Sequence, residues 1–223
     1  MSKHFQRDID HLHREILSMS AIVEEMIDKA TQALRGERGD LAAEVAEADK
    51  IVDRREVRIE EECLKMLALH QPVAIDLRRI ATVLKVNNDL ERIADLAVNI
   101  AERAHSIDQF HDFPIPEKMD RMVALATQMV RSALDAFVNL DAHNARRLLL
   151  LDDEVDQLNF EIINELQVLM QSSAELVPPA LHCFSASRHI ERIADHATNI
   201  AEDVIYLVEG DIVRHKHNVA PVS

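Results

Sequence analysis

In the first 35 residues the apolar side chains fall at Phe5, Ile9, Leu12, Ile16, Met19, Val23, Met26, Ala30 and Ala33. Steps of four and three put all of them on one side of an α-helix, a continuous stripe with polar residues behind it. The pattern returns through Met119, Met122, Ala126, Met129, Ala133, Ala136 and Leu140. Shorter versions run through Leu41, Val45, Ala48, Val52 and Ile59, and through Leu148, Leu151, Val155, Leu158 and Ile162. A methionine at this spacing fills an irregular gap in a core rather than lining a cofactor. Helix breakers separate the stripes: Gly36 and Gly39, Pro72, Pro114 and Pro116, the Asn- and Asp-rich stretch 139–145, Pro178-Pro179 and Gly210. The spacing predicts six helices, roughly 3–35, 41–69, 73–106, 117–140, 145–172 and 178–208.

The chain repeats itself. Residues 91–102 read ERIADLAVNIAE and residues 191–202 read ERIADHATNIAE, identical at ten of twelve positions at an offset of 100. Upstream, Asp49-Lys-Ile-Val-Asp53 corresponds to Asp152-Asp-Glu-Val-Asp156. An internal duplication of three helices per copy follows, with its seam at SIDQFHDFPIP, residues 106–116. The expected fold is all-α: two tandem three-helix bundles, residues 1–108 and 115–210, with a flexible tail over 211–223.

Composition agrees. Three glycines, 3% aromatics and no tryptophan are a poor basis for a sheet, which draws on aromatic and β-branched residues and glycine-rich turns. A formal net charge of −15 argues against a nucleic-acid partner and for cations or a basic protein surface, although such a charge also serves solubility alone. The N-terminus MSKHFQRDID lacks the apolar stretch of a signal peptide, and no run of about 20 apolar residues is present to span a membrane. Cys63 and Cys183 sit in helical patterns in different halves and read as small buried hydrophobes, which suits a reducing cytoplasm.

Several chemistries are absent from the motif record. No phosphate loop, dinucleotide fingerprint, GxSxG elbow or CxxC pair occurs. A ferritin-type di-iron site wants two Glu-x-x-His motifs; Glu102–His105 is one, and Ile205 stands where its repeat would be.

The duplicated segment is more informative on a helical wheel. Leu90, Ile93, Ala97, Ile100 and Ala104 face the core, while Glu91, Asp95, Asn99 and Glu102 lie about 170° away at 100° per residue. Glu191, Asp195, Asn199 and Glu202 stand likewise opposite Ile190, Ile193, Ala197 and Ile200, so the acids are expected to form outward stripes. With 40 acids in 223 residues, roughly seven carboxylate pairs at i,i+4 arise by chance, so one pair alone means little. The internal comparison lifts it. Core packing does not require the exposed acids to match, and residues 53–64 share only three of twelve positions with 156–167. A recent partial duplication is the competing explanation.

Carboxylates one turn apart sit about 6 Å from each other and repel. If neighbouring helices lie side by side, Asp49, Asp53, Glu91 and Asp95 surround one shallow groove, and Asp152, Asp156, Glu191 and Asp195 a second. Oxygen-rich sets without thiolate suit Mg, Mn or Fe better than a tetrahedral Zn site. His196, beside Asp195 and matched by Leu96 in the other copy, reads as packing at the edge of the core; His215 and His217 read as part of a solvated end.

The doubled ERIAD-x-A-x-NIAE, each copy preceded by a D-x-x-x-D helix, together with AIDLRRI at 74–80, resembles the PhoU family over nearly the whole chain up to Gly210. The resemblance implies two three-helix bundles, a cytoplasmic location that touches the membrane only through partners, a homodimer, and divalent or trivalent metal ions (Fe, Mn, Mg or Zn) on the acidic motifs. It implies a non-enzymatic regulator of phosphate uptake that restrains phosphate-starvation signalling between the ATPase of a phosphate ABC transporter and a sensor histidine kinase. A metal-dependent enzyme or metal store using the same carboxylates is the alternative. Ala94 and Ala194 stand where the family usually has glycine, and Leu96 where it has histidine; the carboxylates are unchanged.

Overall fold

A computed structural model describes residues 3–36 and 40–213. The expected helical spacing is realised as α1 (Lys3–Leu34), α2 (Leu41–His70), α3 (Ile75–Asp108), α4 (Lys118–Asn139), α5 (Ala142–Leu148), α6 (Asp152–Ser172) and α7 (Val177–Glu209), with a single 3-10 turn at Ala174–Leu176. No β-strand occurs among the described residues, and no helix there is long and apolar enough to cross a membrane. Helices α1–α3 form the first bundle and α4–α7 the second. Residues 37–39 of the first glycine turn, and the tail from 214 onward with His215 and His217, lie outside the described residues.

One element departs from the expectation. The predicted helix 145–172 is two helices, α5 and α6, separated at Leu149–Leu151. There the backbone tightens into three-residue bonds, Leu150 N–H to Arg147 and Leu151 N–H to Leu148. The run Asp152, Asp153 and Glu154 then opens α6, where carboxylates favour the exposed N–H groups of a helix start. Leu150 is left 74% exposed as the chain turns. The other breaks act as the sequence suggests. Gly36 and Gly210 adopt positive φ, and Pro178 and Pro179 lie in the first turn of α7, where a missing N–H costs nothing.

The stripes pack as a core. Ile9, Leu12, Ile16, Met19, Val23 and Met26 of α1 and Met122, Met129, Ala133 and Phe137 of α4 are buried together with both copies of the repeat. The buried apolar residues form one connected cluster through both bundles. Their junction is the antiparallel α3/α7 pair, where Ala94, Ala97 and Ala101 on α3 and Ala186, Ala194, Ala197 and Ala201 on α7 are buried; small side chains let the two axes approach. Polar ties fix the register of this seam. The Lys85 ammonium lies 2.8 Å from Asp203 and 5.5 Å from the Tyr206 ring centre, and His196 Nδ1–H donates to Asp89 at 2.8 Å. On the opposite side Arg35 pairs with Asp120 at 2.8 Å, and Arg131 with Glu24 and Asp28, joining α1 to α4.

Both cysteines are buried as expected, and burial pushes each thiol up to about 12, far from thiolate reactivity.

Candidate metal centres

The turn after α2 brings the first set of acids together. Gln71 and Ala74 flank Pro72-Val73 with φ of 45° and 50°, sparsely populated conformations that cost non-glycine residues about 1–3 kcal/mol each. Folding α3 back along α2 sets Asp49 and Asp53 against Glu91 and Asp95. Asp49 feels Asp53 on its own helix and Asp95 across the groove; Glu91 feels Asp95 on its own helix and Asp53 across it. Burial, then the Asp53 and Asp95 charges, push Asp49 up to about 6. Glu91 is raised by burial first and then by Asp95, against the pull of Arg92. That arginine reaches Asp95 at 3.2 Å and Glu91 at 3.3 Å, spanning the pair. Sequence reasoning missed Glu56. One turn beyond Asp53, it faces Glu60, Asp53 and Arg92, is itself raised by burial and by those acids, and contributes to the field at Glu91. Its spacing of three from Asp53 is the signal that could have found it.

The second set forms between α6 and α7. Asp152 is raised by burial first, then by Asp195 and Asp156, and is relieved in part by the Thr198 hydroxyl, which donates at 3.3 Å. Asp195 is raised by burial, then by Glu191 and Asp156, against His196 and Arg188. Glu191 is raised by burial, with Asp156 and Asp152 adding to it and Arg188 opposing. Its Oε1 accepts from Arg188 at 2.6 Å, while its Oε2 is buried and has no hydrogen-bond partner. Members of each expected quartet thus stand near enough to feel one another's charge across the pair of helices.

One detail corrects the outward stripe expected from the wheel. Glu102 is exposed, but its counterpart Glu202 is only 8% exposed. Helix α7 packs against α3, α4, α5 and α6, so the end of its acidic stripe is covered where that of α3 is open. His196 lies at the core edge, as expected, and there it also makes a hydrogen bond to Asp89.

The donor set suits a hard cation. It is carboxylate oxygen throughout, burial and neighbouring like charges make Asp49, Glu91, Asp152, Glu191 and Asp195 hold protons more tightly than usual, and Glu191 Oε2 is buried without a hydrogen-bond partner. Among the described residues no three His, Cys, Asp or Glu side chains are yet gathered closely enough to hold one ion. Binding would require the carboxylates to swing inward against their mutual repulsion, which a cation cancels.

The PhoU domain family model matches this chain twice, over residues 16–104 and 119–204. The phosphate-specific transport system accessory protein PhoU homolog of Aquifex aeolicus is 38% identical over 211 residues, 95% of this chain and 96% of that protein. The phosphate-specific transport system accessory protein PhoU of Escherichia coli is 33% identical over 216 residues, 96% of this chain and 89% of its own length. Among solved structures, PhoU from Pseudomonas aeruginosa superposes with a TM-score of 0.90 at 36% identity, covering 93% of this chain and all of that one. The phosphate transport system regulatory protein PhoU from Streptococcus pneumoniae gives 0.87 at 27% identity, over 94% of this chain and 99% of its own.

Proposed function

The chain belongs to the PhoU family, and from that premise we propose that it is an accessory protein of a phosphate transport system, acting in the cytoplasm as a metal-binding adaptor rather than a catalyst. On this reading it contacts the ATPase subunit of the phosphate ABC transporter and a sensor histidine kinase, works as a homodimer, and restrains phosphate-starvation signalling. The observation that carries it is the coincidence of two matches to one family with two carboxylate grooves at equivalent places in the repeat. The names of the relatives, accessory and regulatory, favour an adaptor over a metal-dependent enzyme.

A bound divalent or trivalent ion would supply positive charge that offsets the repulsion in each groove. Asp49, Asp53, Glu91 and Asp95 would hold it in the first bundle, and Asp152, Asp156, Glu191 and Asp195 in the second. The chain's own contribution is to clamp α2 on α3, and α6 on α7, so that a change in occupancy alters the stiffness and charge of a docking face.

A deletion strain tests this. Phosphate-starvation genes should become expressed in phosphate-rich medium, and the wild-type gene should restore silence. A variant carrying Glu91→Gln, Asp95→Asn, Glu191→Gln and Asp195→Asn should restore it poorly. Unchanged expression in the deletion strain would overturn the regulatory reading, and full rescue by the variant would remove the metal from it.

A further inference from the structure

The outer face of the α6/α7 hairpin changes character along its length. Asp152 faces Asp195 and Thr198, and Asp156 faces Glu191, which fixes the antiparallel register. Continuing that register toward the hairpin tip brings Phe160 level with Arg188 and Ile163 level with Phe184, with Leu181 about one turn farther on. Phe160 is 60% exposed, Leu181 53% and Phe184 38%, and Ile163 is half-buried between them. Two of only six phenylalanines thus stand open on one groove, a placement that the fold of the hairpin does not require.

Charge sharpens the reading. Helix α6 carries Asp152, Asp153, Glu154, Asp156, Glu161 and Glu165 and neither lysine nor arginine. Lys118 and Arg121 of α4 reach Glu161, Glu165 and Glu154, which leaves Asp152, Asp153 and Asp156 at the far end of the apolar groove. The first bundle differs at the matching places. Val57 stands for Phe160 and Glu60 for Ile163, and on α2 the acids are interleaved with Lys50, Arg54, Arg55, Arg58 and Lys65, which offset most of their charge. A basic segment is therefore drawn more strongly to the second bundle, whose acids on α6 have no bases of that helix to offset them.

We propose that the α6/α7 face docks an amphipathic, basic helix from a subunit of the phosphate transport system, its apolar ridge entering between Phe160, Ile163, Leu181 and Phe184 and its positive end lying toward Asp153 and Asp156. A groove between two helices, apolar at one end and acidic at the other, has the shape and charge such a helix fills. This assignment rests on the accessory role proposed above and adds to it the face and the bundle used.

Sedimentation with inverted membrane vesicles tests it, comparing vesicles that carry the cognate phosphate ABC transporter with vesicles that lack it. The wild-type chain should bind the transporter vesicles, more weakly as salt rises. The double variant Phe160→Ser/Phe184→Ser should bind at least tenfold more weakly while melting at the wild-type temperature, and Val57→Ser should stay within twofold of wild type. Equal binding by wild type and double variant, or an equal loss in Val57→Ser, overturns the docking face and leaves the accessory role standing. Equal binding to both kinds of vesicle points to the lipid surface and overturns the protein partner. Absence of any wild-type binding overturns the accessory reading itself.

Discussion

The α2/α3 groove and the α6/α7 groove hold the same four carboxylates at equivalent places, yet each is quieted by different neighbours. In the first, Arg92 spans Glu91 and Asp95, and Glu56 adds a further acid. In the second, Asn159 stands in place of Glu56, Arg188 sits on Glu191, and Thr198, where the first copy has Val98, donates to Asp152. Apart from Arg92, which the repeat keeps as Arg192, the neighbours of the acids have drifted while the acids have not. Repulsion on a surface is simplest to remove by losing an acid, so two grooves that each keep all four and balance them separately point to a demand on the acids themselves.

The largest effect should come from supplying positive charge to the grooves. Added Mn should stabilise the wild-type chain by about 2.7 kcal/mol per groove at a hundredfold excess over the dissociation constant. Glu91→Gln/Asp95→Asn should remove the share of the first groove, Glu191→Gln/Asp195→Asn that of the second, and the combined variant both. Thermal melts with and without Mn decide it: equal shifts in all four proteins would mean that neither groove is a metal site.

The next test sets equivalent positions of the two repeats against each other. Asp203 is 2% exposed and paired with Lys85, whereas Arg103, one repeat earlier, makes a loose contact with Glu102 at 3.5 Å. Asp203→Ala should cost about 1.5–3 kcal/mol, the range for a hydrogen bond to a charged group, and Arg103→Ala no more than about 0.5 kcal/mol. Similar costs in urea denaturation would show that the α3/α7 seam does not depend on this pair.

That contrast also marks where the sequence was readable. Helical periodicity projects directly onto burial, so the α1 and α4 stripes and the core side of both repeats, Ile93 and Ile193 among them, could be placed residue by residue. The pairing of the acids across neighbouring helices was legible because duplication preserves them. The burial of Glu202 and Asp203 was not, since it depends on how many helices surround α7, a property of the assembled pair of bundles. The break at Leu149–Leu151 was hidden by a leucine run that keeps helical spacing through the turn; the three acids that follow it were the available sign. The tie between His196 and Asp89 joins residues 107 positions apart, and one sequence carries no record of that pairing.

A smaller effect separates the grooves by pH. Asp49 has its folded value raised from 3.8 to about 6, so between these values the native state binds the proton more readily than the unfolded chain does. Its contribution is fully present below 3.8 and is lost as the pH rises through about 6, leaving a penalty at neutrality. Asp49 is partly open to solvent, so screening should hold that penalty to about 1 kcal/mol or less. The metal-free Asp49→Asn variant should therefore be slightly more stable than wild type at pH 7 and lose that advantage by pH 4. The same comparison in the presence of Mn should reverse sign, because the substitution removes a ligand. An advantage that persists unchanged at pH 4 would mean that Asp49 is not the group under strain.

The finest distinction between the grooves is a single hydroxyl. At 3.3 Å the bond from Thr198 to Asp152 is long, and it opposes the upward push that burial, Asp195 and Asp156 exert on that carboxyl. Thr198→Val, which installs the residue type found at position 98, keeps the branched shape and removes the donor. Asp152 should then hold its proton to higher pH, and the metal-free protein should lose about 0.5 kcal/mol at neutrality, the lower end for one hydrogen bond. Titration of the Asp152 carboxyl by NMR reads the first effect and a urea melt the second. Should the titration stay where it is in wild type, the hydroxyl is not what quiets Asp152, and the difference between the two grooves would rest on Arg188 and Arg92 instead. The reciprocal change, Val98→Thr, offers the first groove a donor one turn from Asp95 and should steady its acids by a similar few tenths of a kcal/mol only if a carboxylate of α2 stands within its reach.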